Sequence, residues 1–173
     1  MRIHDGAYGT LLQRHLHGDE TVDDLCLREP IRVIDAHRAY LDAGASAIQT
    51  NAFLAYLRTS SRRRRELQLA ALDCAREAAA ASARDVLVLA TLGPASTDPR
   101  DFWDDLELLL EAEVEAIQCE TVTDRRIADA FLAAWHEVAR GVRGVEPHLG
   151  CSVAPSRGVR RARRPGRLGR GDR

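Results

Sequence analysis

The sequence predicts an α/β protein built from repeated strand–loop–helix units. Two stretches, residues 48–53 and 117–121, share one pattern: an apolar residue and a Gln are followed by polar groups where a strand would end. Polar residues close five predicted strands at separations of 29 to 45 residues, namely Asp5, Thr50, Thr91, Glu120 and Ser152. Such separations suit β-α units joined by crossover helices. A doubly wound sheet and a (β/α)8 barrel both fit, and the barrel would be incomplete because a full one needs about 250 residues.

The first predicted strand and helix lie at the N-terminus. Residues 2–10 predict a brief strand that opens into a glycine-bearing loop, with Asp5 at the strand's end and a helix beginning near Thr10. The polar region 19–29 then predicts a loop.

The second unit begins with a helix at Pro30, a residue that suits the first helical turn. Gly44 suits the position just past its end. Residues 45–50 predict the second strand, with Thr50 and Asn51 at its carboxyl end. The apolar side of the helix is predicted at Ile31, Ile34, Arg38 (through its stem) and Leu41.

Three further strands alternate with helices in the remainder of the predicted domain. The clearest strand is the β-branched apolar run 86–92, which Gly93 and Pro94 terminate. Ser60 or Ser61 caps the helix before it, and Thr123 or Asp124 caps the last helix. The remaining predictions are helices to about residue 83 and over 101–112, a fourth strand over 114–119, and a weaker fifth strand over 145–153.

Charge divides the chain into an acidic body and a basic tail. Residues 156–173 carry eight Arg and one acidic residue, with little apolar content, whereas residues 1–155 have an excess of acids. We therefore predict one α/β domain over 1–155 and a disordered Arg/Gly-rich tail over 156–173. The tail fits either a basic arm for RNA or anionic lipid or, as we favour, the product of a chain cut or frame-shifted after its fifth strand.

Neither a membrane nor a nucleic-acid partner is predicted. The longest apolar run, residues 86–92, is too short to span a bilayer, and no apolar signal region follows Met1, which favours the cytoplasm. The basic run 62–65 lacks the interleaved aromatic residues of a nucleic-acid interface and indicates a solvated helix face. The four cysteines are far apart, which is typical of reduced, buried thiols.

The candidate site consists of carboxylates at strand ends. Asp5 and Glu120 follow different strands and would meet if both strand ends open on one face, where they could bind an ammonium group or share acid–base chemistry. The alternative is that each acid only caps a helix. Residues 5–10 lack both the spacing and the Lys of a phosphate loop and favour a tight turn. No histidine pair has metal-ligand spacing, and we place none of the six histidines in the site.

Taken in order, several short motifs resemble the homocysteine S-methyltransferase family. They are Asp5-Gly6 with Gly9-Thr10, the run 37–45, Gln49-Thr-Asn-Ala-Phe53, Leu92-Gly-Pro94 and Glu120-Thr121. The resemblance covers about residues 3–154. It implies a (β/α)8 barrel that transfers a methyl group to the thiol of homocysteine, giving methionine. Asp5 and Glu120 correspond to the residues that hold the amino-acid end of the substrate, and Thr50 and Asn51 would line the site.

The departures from the family concern its metal. The resemblance implies a zinc ion held by three cysteines in two later motifs, and neither motif exists in this sequence. Strand alternation directs Cys119 away from Glu120, and Cys119 and Cys151 alone would leave the coordination short, so no metal ligand is predicted. In addition, Glu113-Val114 stands where the family has an Ala-Gly-hydrophobic turn. The methyl donor stays open among S-methylmethionine, S-adenosylmethionine, betaine and methylfolate.

Two hypotheses follow. The first is an enzyme, a truncated homocysteine S-methyltransferase made of about five β-α units. The second is a non-catalytic protein, either an amino-acid-binding relic or a half-barrel that pairs with another chain. Under both, the open sheet edges predict self-association.

Overall fold

A parallel four-stranded sheet forms the centre of the protein. The computed structural model describes residues 2–57, 60–94 and 96–151. The strands are β1 (Ala47–Gln49), β2 (Leu87–Leu92), β3 (Ala116–Val122) and β4 (Glu146–Cys151). They pair in the order β1-β2-β3-β4, so each strand lies beside the next one in the chain.

The first predicted strand is reduced to a single bridge, which corrects the expectation of five strands. His4 pairs in parallel with Ala47, and the Ser46 amide donates to the Ile3 carbonyl at 2.8 Å. The segment cannot extend further because a helix already begins at Tyr8. It nevertheless holds Asp5 beside the carboxyl end of β1, since the Asp5 amide donates to the Ala47 carbonyl.

The strand order decides between the two architectures that the sequence left open. A doubly wound sheet reverses its strand order at a switch point, where its ligand binds. Within the described residues the order from His4 through β4 never reverses. Because parallel crossovers are right-handed, sequential order places the connecting helices on one face. The fold is therefore a partial (β/α)8 barrel.

Most predicted helices occur close to their predicted positions, and their ends follow the predicted capping residues. Gly44 has a φ of 113° just past one helix, and the Ser60 hydroxyl accepts from the Arg63 amide. Asp124 is the N-cap of the last helix and accepts from the Arg126 amide at 2.8 Å. The helices are α1 (Tyr8–Leu12), α2 (Leu25–Arg28), α3 (Pro30–Asp42), α4 (Ser61–Ala80), α5 (Trp103–Glu111) and α6 (Arg125–Val138).

Two local predictions were wrong. The region predicted as a polar loop contains a 3-10 turn at Val22–Asp24 followed by α2, because Leu25 and Cys26 bury their side chains there. Strand β3 does not stop at Cys119. It continues to Val122 through a register shift, with Thr121 at a φ of 56°. Glu120 thus lies within the last part of the strand.

The two faces of the sheet have different partners. Outward residues such as Ile48, Ala90, Ile117 and Cys119 belong to the main core with the helices. Inward residues Ala47, Leu89 and Ala116 form a smaller apolar cluster. By strand alternation, Gln49, Thr91, Gln118 and Glu120 lie on the same inward face, nearer the carboxyl ends. The barrel interior thus changes from apolar at one end to polar at the other.

The basic run at the start of α4 is paired with acids. Arg62 contacts Glu66, Arg63 contacts Asp24, Arg64 contacts Asp105, and Arg65 contacts Glu111. These pairs give the run a structural role between α4 and its neighbours.

No helix among the described residues is long and apolar enough to cross a bilayer. The predicted tail over 156–173, and its boundary with the barrel, lie outside the described residues.

Candidate active site

A cavity of about 480 Å³ lies where β1, β3 and the N-terminal loop come together. All four residues that the sequence predicted for the site line it: Asp5, Thr50, Asn51 and Glu120. The cavity is also lined by Gly6, Ala7, Tyr8, Gly9, Val22, Gln49, Phe53 and Leu54. The structure therefore brings together the strand-end residues at one end of the sheet, as the parallel arrangement predicts.

The Asp5 carboxylate is held by two donors. Its Oδ2 atom accepts from the backbone N–H group of Gln49 at 2.7 Å and from the Tyr8 hydroxyl. Burial raises the pKa of Asp5 above its ordinary value, and the bonds from Tyr8 and Gln49 oppose that rise only in part. Asp5 is therefore a fixed carboxylate whose burial makes its negative charge costly.

Glu120 shares this electrostatic situation. Burial raises the pKa of Glu120, and the nearby charge of Asp5 raises it further. Glu120 does not cap the following helix, because Asp124 occupies that position. Two partly buried carboxylates that line one cavity, with the charge of Asp5 opposing ionisation of Glu120, form a site that a positive group would stabilise.

Thr50 and Asn51 are more deeply buried than the two acids, and their side chains bind the protein itself. The Thr50 hydroxyl accepts from the Thr91 amide at 2.8 Å. The side-chain Nδ2 atom of Asn51 donates to the Val22 carbonyl at 2.8 Å, which connects the end of β1 to the turn before α2. They hold the cavity wall in place.

Two residues that the sequence did not place in the site support Asp5. Tyr8 lies between Asp5 and His37, with its hydroxyl 2.8 Å from His37 Nδ1 and its ring centroid 4.7 Å from that of His37. His37 is completely buried, and burial lowers its pKa to about 4, so its imidazole is neutral. The sequence signal that could have identified His37 was the apolar face predicted for α3. Of the four residues predicted for that face, Ile34 and Leu41 are buried, but Ile31 is 51% exposed. Arg38 is only partly buried, and its neighbour His37 is buried instead.

The zinc implied by the family resemblance does not fit the described residues. They contain no group of three or more His, Cys, Asp or Glu side chains that could hold a metal ion. Cys119 is in the apolar core, away from Glu120, and burial raises its pKa to about 12, which favours the thiol over the metal-binding thiolate. Cys26 and Cys74 contact each other beneath α2 and α4, but two thiols leave a tetrahedral site incomplete.

Comparisons with known proteins agree with this architecture. A family model described as homocysteine S-methyltransferase matches residues 2–155. The crystal structure of the homocysteine methyltransferase MmuM from Escherichia coli, in its oxidized form, matches with a TM-score of 0.64 at 18% identity. The match covers 83% of this chain and 59% of that chain, and at this identity it shows the fold alone. No curated protein matches the sequence. The family match extends over most of the chain, and we conclude that the chain belongs to the homocysteine S-methyltransferase family.

Proposed function

We propose that this chain binds homocysteine, or a similar small amino acid, with the ligand's ammonium group between Asp5 and Glu120. The observation that carries the proposal is the pair of carboxylates facing one cavity with both pKa values raised. An ammonium group would offset the desolvation of both acids and their mutual repulsion. The cavity volume of about 480 Å³ lies within the range of small-molecule sites.

The reaction we propose for the family site is methyl transfer to the thiol of homocysteine, which yields methionine. In this reaction Asp5 and Glu120 bind and orient the amino acid, and Thr50 and Asn51 hold the wall against which it lies. The thiol must lose its proton before it attacks, because the thiolate is the nucleophile. The described residues contain no set of three or more ligands that would hold a zinc ion to activate the thiol.

A second candidate is a non-catalytic amino-acid-binding protein, or a half-barrel that is completed by another chain. The observation that favours it is the same lack of a three-ligand metal group in the described part of the chain. Under this candidate the carboxylate pair still binds the ammonium group, but thiol activation is absent or supplied by the partner.

A calorimetric comparison of two ligands tests the binding proposal. Homocysteine is titrated beside 4-sulfanylbutanoate, which has the same thiol and carboxylate but no amine. We expect homocysteine to bind more tightly by about 1.5–3 kcal/mol, the value of a hydrogen bond to a charged group. Equal affinities would contradict recognition of the ammonium group.

Zinc analysis together with a methyl-transfer assay separates the enzyme from the binding protein. The purified chain is assayed for methionine formation with each of the four methyl donors named above, and its zinc content is measured. Stoichiometric zinc with turnover would exclude the non-catalytic candidate. Homocysteine binding without zinc or turnover would exclude catalysis by this chain alone.

A further inference from the structure

The side chains of Asp5, Tyr8 and His37 form a continuous series of hydrogen bonds that leads away from the cavity. Asp5 accepts from the Tyr8 hydroxyl, and the Tyr8 oxygen is 2.8 Å from His37 Nδ1. Asp5 and Tyr8 line the cavity, whereas His37 lies behind them on α3 and does not touch it. His37 is completely buried, and its Nε2 has no hydrogen-bond partner among the described residues.

The number of available protons fixes the direction of these bonds. An ionised Asp5 can only accept, and Tyr8 has a single proton, so the Tyr8 proton goes to Asp5. The contact between Tyr8 and His37 then requires His37 to donate from Nδ1, since the hydrogen bond of one ring nitrogen sets the tautomer. This choice also leaves Nε2 as a bare acceptor, which avoids burying an N–H group without a partner.

We propose that His37 is a positioning residue whose neutral Nδ1–H group holds the Tyr8 hydroxyl so that Tyr8 donates to Asp5 and fixes the orientation of its carboxylate. His37 acts on Asp5 only through Tyr8. The inference rests on the proposed function, because the orientation it fixes is the one in which Asp5 receives the ligand's ammonium group.

The surroundings of Asp5 and His37 support a fixed geometry. Tyr40 packs edge-on against Tyr8, with centroids 5.4 Å apart, and donates to the Ala7 carbonyl at 3.0 Å. His4 also acts on Asp5, and its positive charge would lower the Asp5 pKa. Across the cavity, the charge of Asp5 raises the pKa of Glu120. Burial is the cause of the lowered pKa of His37.

The His37 tautomer in the unmodified protein is the first test. Nitrogen-15 NMR of the full chain distinguishes a proton on Nδ1 from one on Nε2 and does not depend on any variant folding. We expect the Nδ1–H tautomer at neutral pH. A proton on Nε2 would overturn the inference.

The pKa of Asp5, measured by carbon-13 NMR of its carboxyl group without ligand, is the second test. Tyr8→Phe and His37→Leu should each raise this pKa further, because the bond from Tyr8 stabilises the ionised form. His37→Asn, which retains a donor near the Nδ1 position, should restore it in part. In the Tyr8→Phe background, His37→Leu should cause no further change. A His37→Leu effect that persists without the Tyr8 hydroxyl would overturn the inference.

Homocysteine titration links the inference to the proposed function and separates their failures. We expect His37→Leu to weaken binding about threefold to tenfold, the value of one neutral hydrogen bond. The matched control is His136→Leu, on the exposed side of α6, which should leave binding unchanged. If the unmodified chain does not bind homocysteine but the Asp5 pKa responds as expected, the positioning role stands and the proposed function fails. If homocysteine binds but His37→Leu leaves the Asp5 pKa unchanged, the positioning role is contradicted.

Discussion

At the scale of single residues, the candidate site depends on two carboxylates kept in an unfavourable setting. Asp5 is fixed by Gln49 and Tyr8, and Glu120 faces it from β3. Their raised pKa values mean that burial disfavours two negative charges at this position. Such strain is typical of positions that a ligand relieves.

The pH dependence of homocysteine affinity tests this electrostatic account. Both carboxylates must be ionised to bind an ammonium group, and both titrate above their ordinary values. We therefore expect the affinity to fall as the pH is lowered through these raised pKa values, and the fall to begin at a higher pH than for an exposed carboxylate. Calorimetry across the pH range measures it. An affinity that stays constant down to about pH 4.5, near the ordinary value for Glu, would contradict the account.

The two acids could be predicted from the sequence because their position relative to a strand end is a local property. The support behind Asp5 could not be predicted in the same way. The Tyr8–His37 contact depends on how α1 crosses α3, and a one-residue error in the buried face of α3 hid His37. Thr50 and Asn51 were predicted as lining residues, but their hydrogen bonds to Thr91 and Val22 depend on the assembled sheet.

At the scale of elements, β2 ends where the chain after β1 passes closely over it. A Cβ atom on Gly93 would lie 2.0 Å from Tyr56 Cδ1 and 2.6 Å from the Phe53 carbonyl oxygen. The absence of a side chain at Gly93 therefore lets the 3-10 segment Phe53–Leu57, which contributes Phe53 to the cavity, pack on the strand end.

Replacing Gly93 tests this packing. Gly93→Ala should lower the free energy of unfolding by about 1–3 kcal/mol, the usual cost of overpacking. Gly9→Ala is the matched control, because a Cβ there meets nothing within 4 Å and Ala favours α1. Denaturant unfolding of both variants measures the difference. Equal stabilities would contradict the close approach.

The turn between α5 and β3 explains one departure from the family pattern. Glu113 occupies the position just past the helix with a φ of 54°, a left-handed conformation that favours Gly. This position coincides with the Ala-Gly turn expected from the resemblance. Glu113 therefore adopts a left-handed φ at the position where the resemblance leads us to expect Gly.

Glu113→Gly should relieve this strain and raise the free energy of unfolding by up to about 1 kcal/mol. Glu113→Ala removes the same charge but keeps the backbone cost, so it should change the stability little. Thermal or denaturant unfolding of the two variants provides the comparison. Equal gains from Gly and Ala would assign the effect to charge rather than to backbone conformation.

Helices and strands with a long apolar or helical pattern in the sequence were predicted close to their observed positions, whereas a very short helix was not predicted. The apolar run of β2 and the capped helices α4 and α6 occur close to where they were expected. The four-residue helix α2 was missed because its polar neighbours concealed two buried side chains. The end of β3 was placed too early because a register shift leaves no clear signal in the sequence.

At the scale of the whole molecule, the described sheet has two edges. One edge is the short bridge at His4 and the other is β4, whose Leu149 is 37% exposed. Strand edges present unpaired backbone groups that recruit other strands. The strands follow one another in sequential order, as in a barrel. The sequence alone did not distinguish this order from that of a doubly wound sheet.

We therefore predict that the chain forms a dimer or a larger species in solution. Light scattering coupled to size-exclusion chromatography measures its mass over a wide concentration range. A compact monomer at every concentration would contradict the prediction.

The central claim, that Asp5 and Glu120 bind the ammonium group of an amino acid, is tested most directly by titrating homocysteine into Glu120→Gln. This change keeps the shape of the side chain and removes its charge. The matched control, Glu115→Gln, removes an exposed carboxylate just before β3. We predict that Glu120→Gln weakens binding by about 1.5–3 kcal/mol and that Glu115→Gln leaves it unchanged. Unchanged homocysteine affinity in a folded Glu120→Gln protein would contradict the claim.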